Sequence, residues 1–181
     1  MQSYDYARRD GVENVSWDRF LMLCRSLAEP LANRGIDTVV GVARAGLLPA
    51  TMVACSLRCD LVPVRITRRS QDQVVFDAPV WKVDVSPEVR GKRVAVVDEI
   101  ADTGKTLHLV AQRVLELGAQ EVVTAVLVSH SWANPRPQLS GLVSDALVLF
   151  PWDQQVLVQG HWQMHPELVR ALALQADVPP A

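Results

Sequence analysis

Two carboxylates stand side by side at Asp98 and Glu99, at the end of an apolar run, and the polar stretch Thr103-Gly104-Lys105-Thr106 follows them at the start of an amphipathic pattern. The whole segment, residues 94–107, reads "VAVVDEIADTGKTL". A helix beginning near Gly104 aims its unpaired backbone N–H groups and the positive end of its dipole at whatever lies in front of it, and the Thr103 and Thr106 hydroxyls add donors. That is the chemistry of a phosphate cradle. The nucleoside-triphosphate P-loop also places Gly-Lys-Thr at a helix start, but its pattern requires a glycine at the position of Glu99, so that reading is excluded.

Carboxylates aimed at a phosphate repel it unless something neutral or cationic intervenes. Sugar hydroxyls and a bound Mg²⁺ are natural intermediaries. Taken alone, the pair is equally explained by an Asp98 that ends a strand and a solvated Glu99. Asp102, taken alone, reads as a helix cap.

The elements that must position these groups follow from periodicity. Ser16 can cap a helix over 17–33, whose apolar residues Phe20, Leu21, Leu23, Cys24, Leu27 and Leu31 recur at helical spacing before Gly35 ends it. "TVVGVA" at 38–43 reads as a buried strand, a turn at 44–46 follows, and "LLPATMVACSL" reads as a helix. "LVPVRI" at 61–66 is the next strand, "RVAVVDE" the clearest buried one, "GKTLHLVAQRVLELG" an amphipathic helix and "EVVTAVLVS" a further strand. Alternating strands and helices predict an α/β fold on a mostly parallel sheet flanked by helices, with ligands held beyond the carboxyl ends of the strands. The turns at Arg44, Arg65 and Asp98 all lie at such ends.

Between 67 and 92 the pattern loosens into a candidate mobile loop, in which "VVFDAPVWKVDV" could be a hairpin arm or a flap. From 131 to 165 proline and tryptophan are scattered among short apolar runs, as in a small cap or edge element. The 181 residues fit one domain over 1–181, with the loop at about 67–92 and the cap at about 129–165. A net charge of −2 gives no basic surface for nucleic acid, and no apolar run spans a bilayer. The N-terminus lacks a secretory pattern, so a cytoplasmic location is expected. Cys24, Cys55 and Cys59 are expected to be free, mostly buried thiols. His161 and His165 are four apart but have no third ligand near them, and His108 reads as a surface or core histidine. The basic cluster Arg65, Arg68 and Arg69 is, by itself, as consistent with a solvated loop as with a site.

"VVDEIADTGKT" resembles the phosphoribosyl pyrophosphate motif of type I phosphoribosyltransferases: an apolar strand, two acidic residues and a D-T-G-x-T loop. The resemblance extends over roughly 15–155 and is strongest to small microbial enzymes that act on xanthine, guanine or hypoxanthine. It implies that Asp98 and Glu99 hold the ribose hydroxyls and Mg²⁺, and that Ala101, Asp102, Thr103, Gly104, Lys105 and Thr106 wrap the 5-phosphate. "GVARAGLLPA" is similar to the family's pyrophosphate loop, which implies pyrophosphate contacts from Arg44 and Ala45. The family often places a non-proline cis peptide there, followed by glycine where this chain has Ala45. "VRITRRS" resembles the strand end before the family's flexible catalytic loop, which implies further pyrophosphate contacts from Arg65, Arg68 and Arg69.

By the same resemblance the reaction is transfer of a phosphoribosyl group from phosphoribosyl pyrophosphate to a nucleobase. Closure of the lid would keep water from the oxocarbenium-like transition state. Asp102, with Asp98 and Glu99, would be catalytic. It resembles the general base that oxopurine enzymes set near the purine N7. "VLVSHSW" and "SDALVLFPWD" are similar to the base-recognition segment, implying base contacts from Ile100, His130, Trp132, Leu147 and Trp152. His130 stands where the family usually has lysine, and Leu147 where it has an aromatic residue, so the base can differ from the usual oxopurines. A homodimer or homotetramer is expected by resemblance alone. Two other readings stay open: a non-catalytic sensor of phosphoribosyl pyrophosphate that regulates nucleotide metabolism, and a transferase for a non-purine acceptor.

Overall fold

The computed structural model describes residues 9, 11–67, 69–70, 73–76 and 79–176. In chain order its elements are β1 (Val12–Asn14), α1 (Trp17–Asn33), β2 (Thr38–Val42), α2 (Leu47–Leu57), β3 (Asp60–Thr67), β4 (Arg69–Ser70), β5 (Gln73–Val74), β6 (Val80–Val83), β7 (Arg93–Ala101), α3 (Lys105–Glu116), β8 (Glu121–Ser129), β9 (Leu139–Val143), β10 (Leu147–Leu149), β11 (Gln155–Val158), β12 (His161–Met164) and α4 (Pro166–Ala176). They form two compact units, one of residues 21–143 and one of the two chain ends, up to Phe20 and from Ser144.

The larger unit is built on a six-stranded sheet of order β6-β3-β2-β7-β8-β9. β6 runs antiparallel to β3 and the remaining neighbours are parallel. Every residue of β2 is buried, as expected of a central parallel strand covered on both faces. Alternate β2 residues point to opposite faces. A Cβ on Gly41 would meet Ala50 and Leu47 of α2, whereas Val40 and Val42 share a cluster with Leu107, Val110, Ala111 and Val114 of α3. α2 and α3 therefore cover opposite faces, the α/β layering expected from the sequence.

Local signals act as predicted at α1. The Ser16 hydroxyl accepts from the Arg19 N–H at 3.2 Å, and Gly35 leaves the helix at φ 62°. α2 instead ends on Arg58 in the left-handed region, at φ 56°, a place glycine usually fills. The segment after β3 is a hairpin arm, since β6 pairs back onto Arg65, Ile66 and Thr67. Asp84, just beyond β6, accepts from Arg113 of α3 at 3.0 and 2.6 Å.

Two expectations are corrected. β7 does not stop at the acidic pair. It continues to Ala101, with Ile100 opposite Val128 and Ala101 opposite Ser129, because β8 offers partners that far. Cys55 is exposed and Cys59 half-buried, leaving only Cys24 in the core; all three are free. Cys55 lies on the outer side of an α2 whose buried residues are Pro49, Ala50, Val53 and Ala54. The stretch after β8 contributes β9 to the main sheet as an edge strand, within the span read from sequence as a small cap or edge element.

In the smaller unit β1 pairs in parallel with β10, and β11 with β12 as an antiparallel hairpin. α4 opens on Pro166, which fits a first helical turn because its missing N–H has no partner there anyway. His161 lies in β12, not on a helix, and no group of three metal-ligating side chains occurs among the described residues. Among those residues no helix is long and apolar enough to cross a membrane.

Candidate active site

The strand register brings the sequence-predicted loops of the larger unit to one edge. Val42 lies opposite Val64, Gly41 opposite Val97, and Ala101 opposite Ser129. The carboxyl ends of β2, β3, β7 and β8 therefore deliver Arg44, Thr67, the Asp98–Glu99 pair and His130 to the same side of the sheet. In open α/β sheets that edge is where ligands bind.

The loop between β2 and α2 is pressed against the acidic pair. The Ala43–Arg44 peptide is cis, the geometry the family resemblance implied, although Ala45 follows it. Gly46 then adopts a right-handed helical conformation at φ −62°. A Cβ there would run into Asp98 Oδ1 and the Val42 carbonyl, and would lie 3.0 Å from Asp98 Cα. Glycine is required at this position by the approach of two backbones, and sequence reasoning passed over it as one turn residue among three. Arg44 is exposed at the loop tip and Ala45 half-buried.

Asp98 is buried, at 8% exposure, and Glu99 half-buried. Burial, and after it the Glu99 carboxylate, pushes Asp98 well above the usual carboxylate range. An acidic side chain held in so unfavourable a setting is one that a cation would stabilise. The two carboxylates supply hard oxygen donors suited to Mg²⁺, which is usually bound by one or two carboxylates, with water and substrate oxygens completing its shell.

The loop between β7 and α3 is braced from behind. Gly104 precedes α3 in the left-handed region, at φ 76°, and a Cβ on it would strike the Pro135 carbonyl. The Asn134 N–H donates to the Thr103 carbonyl at 3.0 Å, and the His130 N–H to the Ala101 carbonyl at 3.2 Å. Residues 130–135, which include a cis Asn134–Pro135 bond, thus lie directly on residues 101–104. Thr106 is half-buried and Lys105 exposed.

Asp102 lies two residues before the cap position of α3. The cap position is Gly104, with no side-chain hydrogen bond, and Asp102 accepts from the Trp132 indole at 3.3 Å.

Of the residues expected to meet the base, Ile100, His130 and Trp132 belong to the larger unit. His130 is 3% exposed and stacks on Trp132, with ring centroids 4.5 Å apart. Leu147 and Trp152 belong to the smaller unit. Leu147 pairs with Val12 across β10 and β1. Trp152 stacks on Phe150 at 4.8 Å and meets the rings of Phe20 and Trp17 at 5.4 and 6.1 Å, so much of its surface is spent on aromatic packing. Arg65 is exposed on β3. Arg68 and the side chain of Arg69 lie outside the described residues.

The model of the family described as "Phosphoribosyl transferase domain" matches residues 15–154. The chain is similar to the transcriptional regulator GfcR 1 of Methanosarcina barkeri, at 35% identity over 119 residues. That match covers 63% of this chain and 56% of the regulator, less than two thirds of its length. The chain is also similar to a xanthine-guanine phosphoribosyltransferase of Nitratidesulfovibrio vulgaris, at 29% identity over 149 residues, covering 78% of this chain and 85% of that one. Among solved structures, a purine phosphoribosyltransferase from Pyrococcus horikoshii superposes with a TM-score of 0.72 and 28% identity, over 83% of this chain and 99% of that one.

Proposed function

Because the chain belongs to the phosphoribosyl transferase domain family, we propose that it transfers the 5-phosphoribosyl group of phosphoribosyl pyrophosphate to a purine-like base, with guanine, xanthine or hypoxanthine favoured. The observation that carries this reading is the meeting of two glycine-dependent loops at the end of β7: Gly46 against Asp98, and the Gly104 turn, packed on Pro135, directly after the strand.

In this reading residues 101–106 receive the 5-phosphate through backbone N–H groups at the start of α3, with the Thr103 and Thr106 hydroxyls. Asp98 and Glu99 hold the ribose hydroxyls and would hold Mg²⁺, which when bound offsets the charge of the pyrophosphate. Arg44 and Ala45 at the β2–α2 turn, with Arg65, Arg68 and Arg69, meet the leaving group as its negative charge grows. The C1–O bond to pyrophosphate breaks and its electron pair leaves with pyrophosphate. A ring nitrogen of the base forms the new bond to C1, and the base gives up a proton to Asp102. Ile100, His130 and Trp132 recognise the base. Exclusion of water from C1 would fall to the segment between β3 and β6, since Val85 and Val89 beyond it are held in the core.

Similarity to a xanthine-guanine enzyme over 85% of that enzyme's length supports the purine assignment. A second reading, a non-catalytic sensor of phosphoribosyl pyrophosphate, is favoured by the similarity to a transcriptional regulator and by His130 and Leu147 at positions where lysine and an aromatic residue are usual. Pyrophosphate release measured with Mg²⁺ against guanine, hypoxanthine, xanthine, adenine, uracil and orotate, with calorimetric binding alongside, tests both. Turnover with an oxopurine is expected. Binding of phosphoribosyl pyrophosphate without turnover on any base would favour the sensor, and no binding would refute both.

A further inference from the structure

Trp132 sits on the loop after β8 and reaches back to the phosphate loop after β7. Its indole Nε1–H donates to Asp102 Oδ1 at 3.3 Å, and its ring lies 19° from parallel to that of the buried His130. The backbone around it is anchored on both sides. His130 is tied to Ala101, Asn134 to Thr103, and the Pro135 carbonyl occupies the space that Gly104 leaves. Within the loop the Ala133 N–H closes a turn on the His130 carbonyl at 3.1 Å, and the Arg136 guanidinium donates to the Ser131 carbonyl at 3.0 Å. An indole has a single N–H and cannot accept. A ring stacked on one side and anchored at both ends therefore offers that proton at one fixed place.

The geometry points to Trp132 as a positioning residue. It holds the Asp102 carboxylate in the orientation needed to take a proton from the base, and it links that orientation to the loop that braces the 5-phosphate site. This rests on the proposed reading that Asp102 receives the proton. A hydrogen bond to a carboxylate is stronger and more directional than one between neutral groups, and small losses of orientation are costly in the reacting step. In this scheme Trp132 stands against the base and not against phosphoribosyl pyrophosphate, so removing its N–H acts through Asp102 and leaves the affinity for phosphoribosyl pyrophosphate in place.

The test compares the parent, Trp132→Phe, Asp102→Asn and the double variant by steady-state kinetics on the responding base, with calorimetric binding of phosphoribosyl pyrophosphate. Phenylalanine keeps a ring against His130 and removes only the donor. We expect kcat to fall about tenfold in Trp132→Phe while the Kd of phosphoribosyl pyrophosphate stays within about twofold. In the Asp102→Asn background the same change is expected to add no further loss. An unchanged kcat, losses that multiply in the double variant, or a weakened Kd of the same size would each overturn the inference while leaving the transferase reading in place. A parent that turns over no base overturns that reading and the inference with it. Should Trp132→Phe fail to fold, the indole ¹H–¹⁵N signals of the five tryptophans in Asp102→Asn decide: one displaced signal supports the contact, and five unmoved signals refute it.

Discussion

Substituting Gly46 by alanine separates two effects that are usually mixed at a glycine. Its backbone, at φ −62° and ψ −16°, is one that alanine adopts freely, so chain entropy alone would make the variant more stable by about 0.4–1 kcal/mol. Sterics act the other way. The added methyl would meet Asp98 Oδ1 and the Val42 carbonyl, and it would lie 3.0 Å from Asp98 Cα, which no side-chain rotation can move. Overpacking costs about 1–3 kcal/mol, and against backbone atoms this close the upper part of that range, about 2–3 kcal/mol, applies, leaving a net loss of about 1–2.6 kcal/mol. For a chain of this length that corresponds to a fall in Tm of about 2–10 °C. The Arg44 loop and the acidic pair would be pushed apart, so binding of phosphoribosyl pyrophosphate is expected to weaken at least about tenfold, measured by calorimetry beside thermal unfolding. Gly91→Ala is the control. Its φ of 72° is strained for alanine but its Cβ would enter open space, so it should lose stability and keep binding. An unchanged or raised Tm in Gly46→Ala, with affinity retained, would refute the reasoning.

Arg58→Gly should raise stability by about 1 kcal/mol in denaturant unfolding, because the end of α2 holds a non-glycine residue at φ 56°. Thiol titration at pH 8 should modify Cys55 first and Cys59 more slowly. Cys24, 2% exposed and pushed by burial to about 12, should react only on unfolding. The Arg113 guanidinium holds the Asp84 carboxyl below its usual value. Its contribution to stability is therefore present above the unfolded value of about 3.9 and is lost as pH falls through the lower folded value. The stability gap between the parent and Asp84→Asn should accordingly be open at pH 7, close under acid, and shrink with added salt, as followed by denaturant midpoints.

Much of the larger unit was legible because central parallel strands bury both faces and so appear as unbroken apolar runs. β2, β8 and α2 stand where periodicity placed them, α2 over Leu47–Leu57 and β8 over Glu121–Ser129. β9 was not legible as a member of the sheet. "LSGLV" is short, holds a glycine, and owes its place to pairing with β8. α4 was hidden behind Pro166, which looks like a helix breaker unless it opens the helix. At the site, the motif residues announced themselves by type and spacing. What holds them did not: the contacts of Gly46 with Asp98, Gly104 with Pro135 and Asp102 with Trp132 each join residues some thirty or more positions apart, and no local pattern encodes such a meeting. Asp102 looked like a plausible cap because only the structure shows Gly104 taking that position.

The pairing of β1 with β10 sets an order of events in folding. Val12 meets Leu147, so this short ladder closes a loop of 135 residues for only three residue pairs. With the intervening chain unfolded, closing that loop costs about 4 kcal/mol in chain entropy, more than so few pairs return. Once residues 21–143 have folded, a fixed span replaces the flexible loop and the cost falls. The unit made from the two chain ends is therefore expected to form last, and during synthesis it must wait for Leu147 to Leu149 to emerge before β1 has a partner.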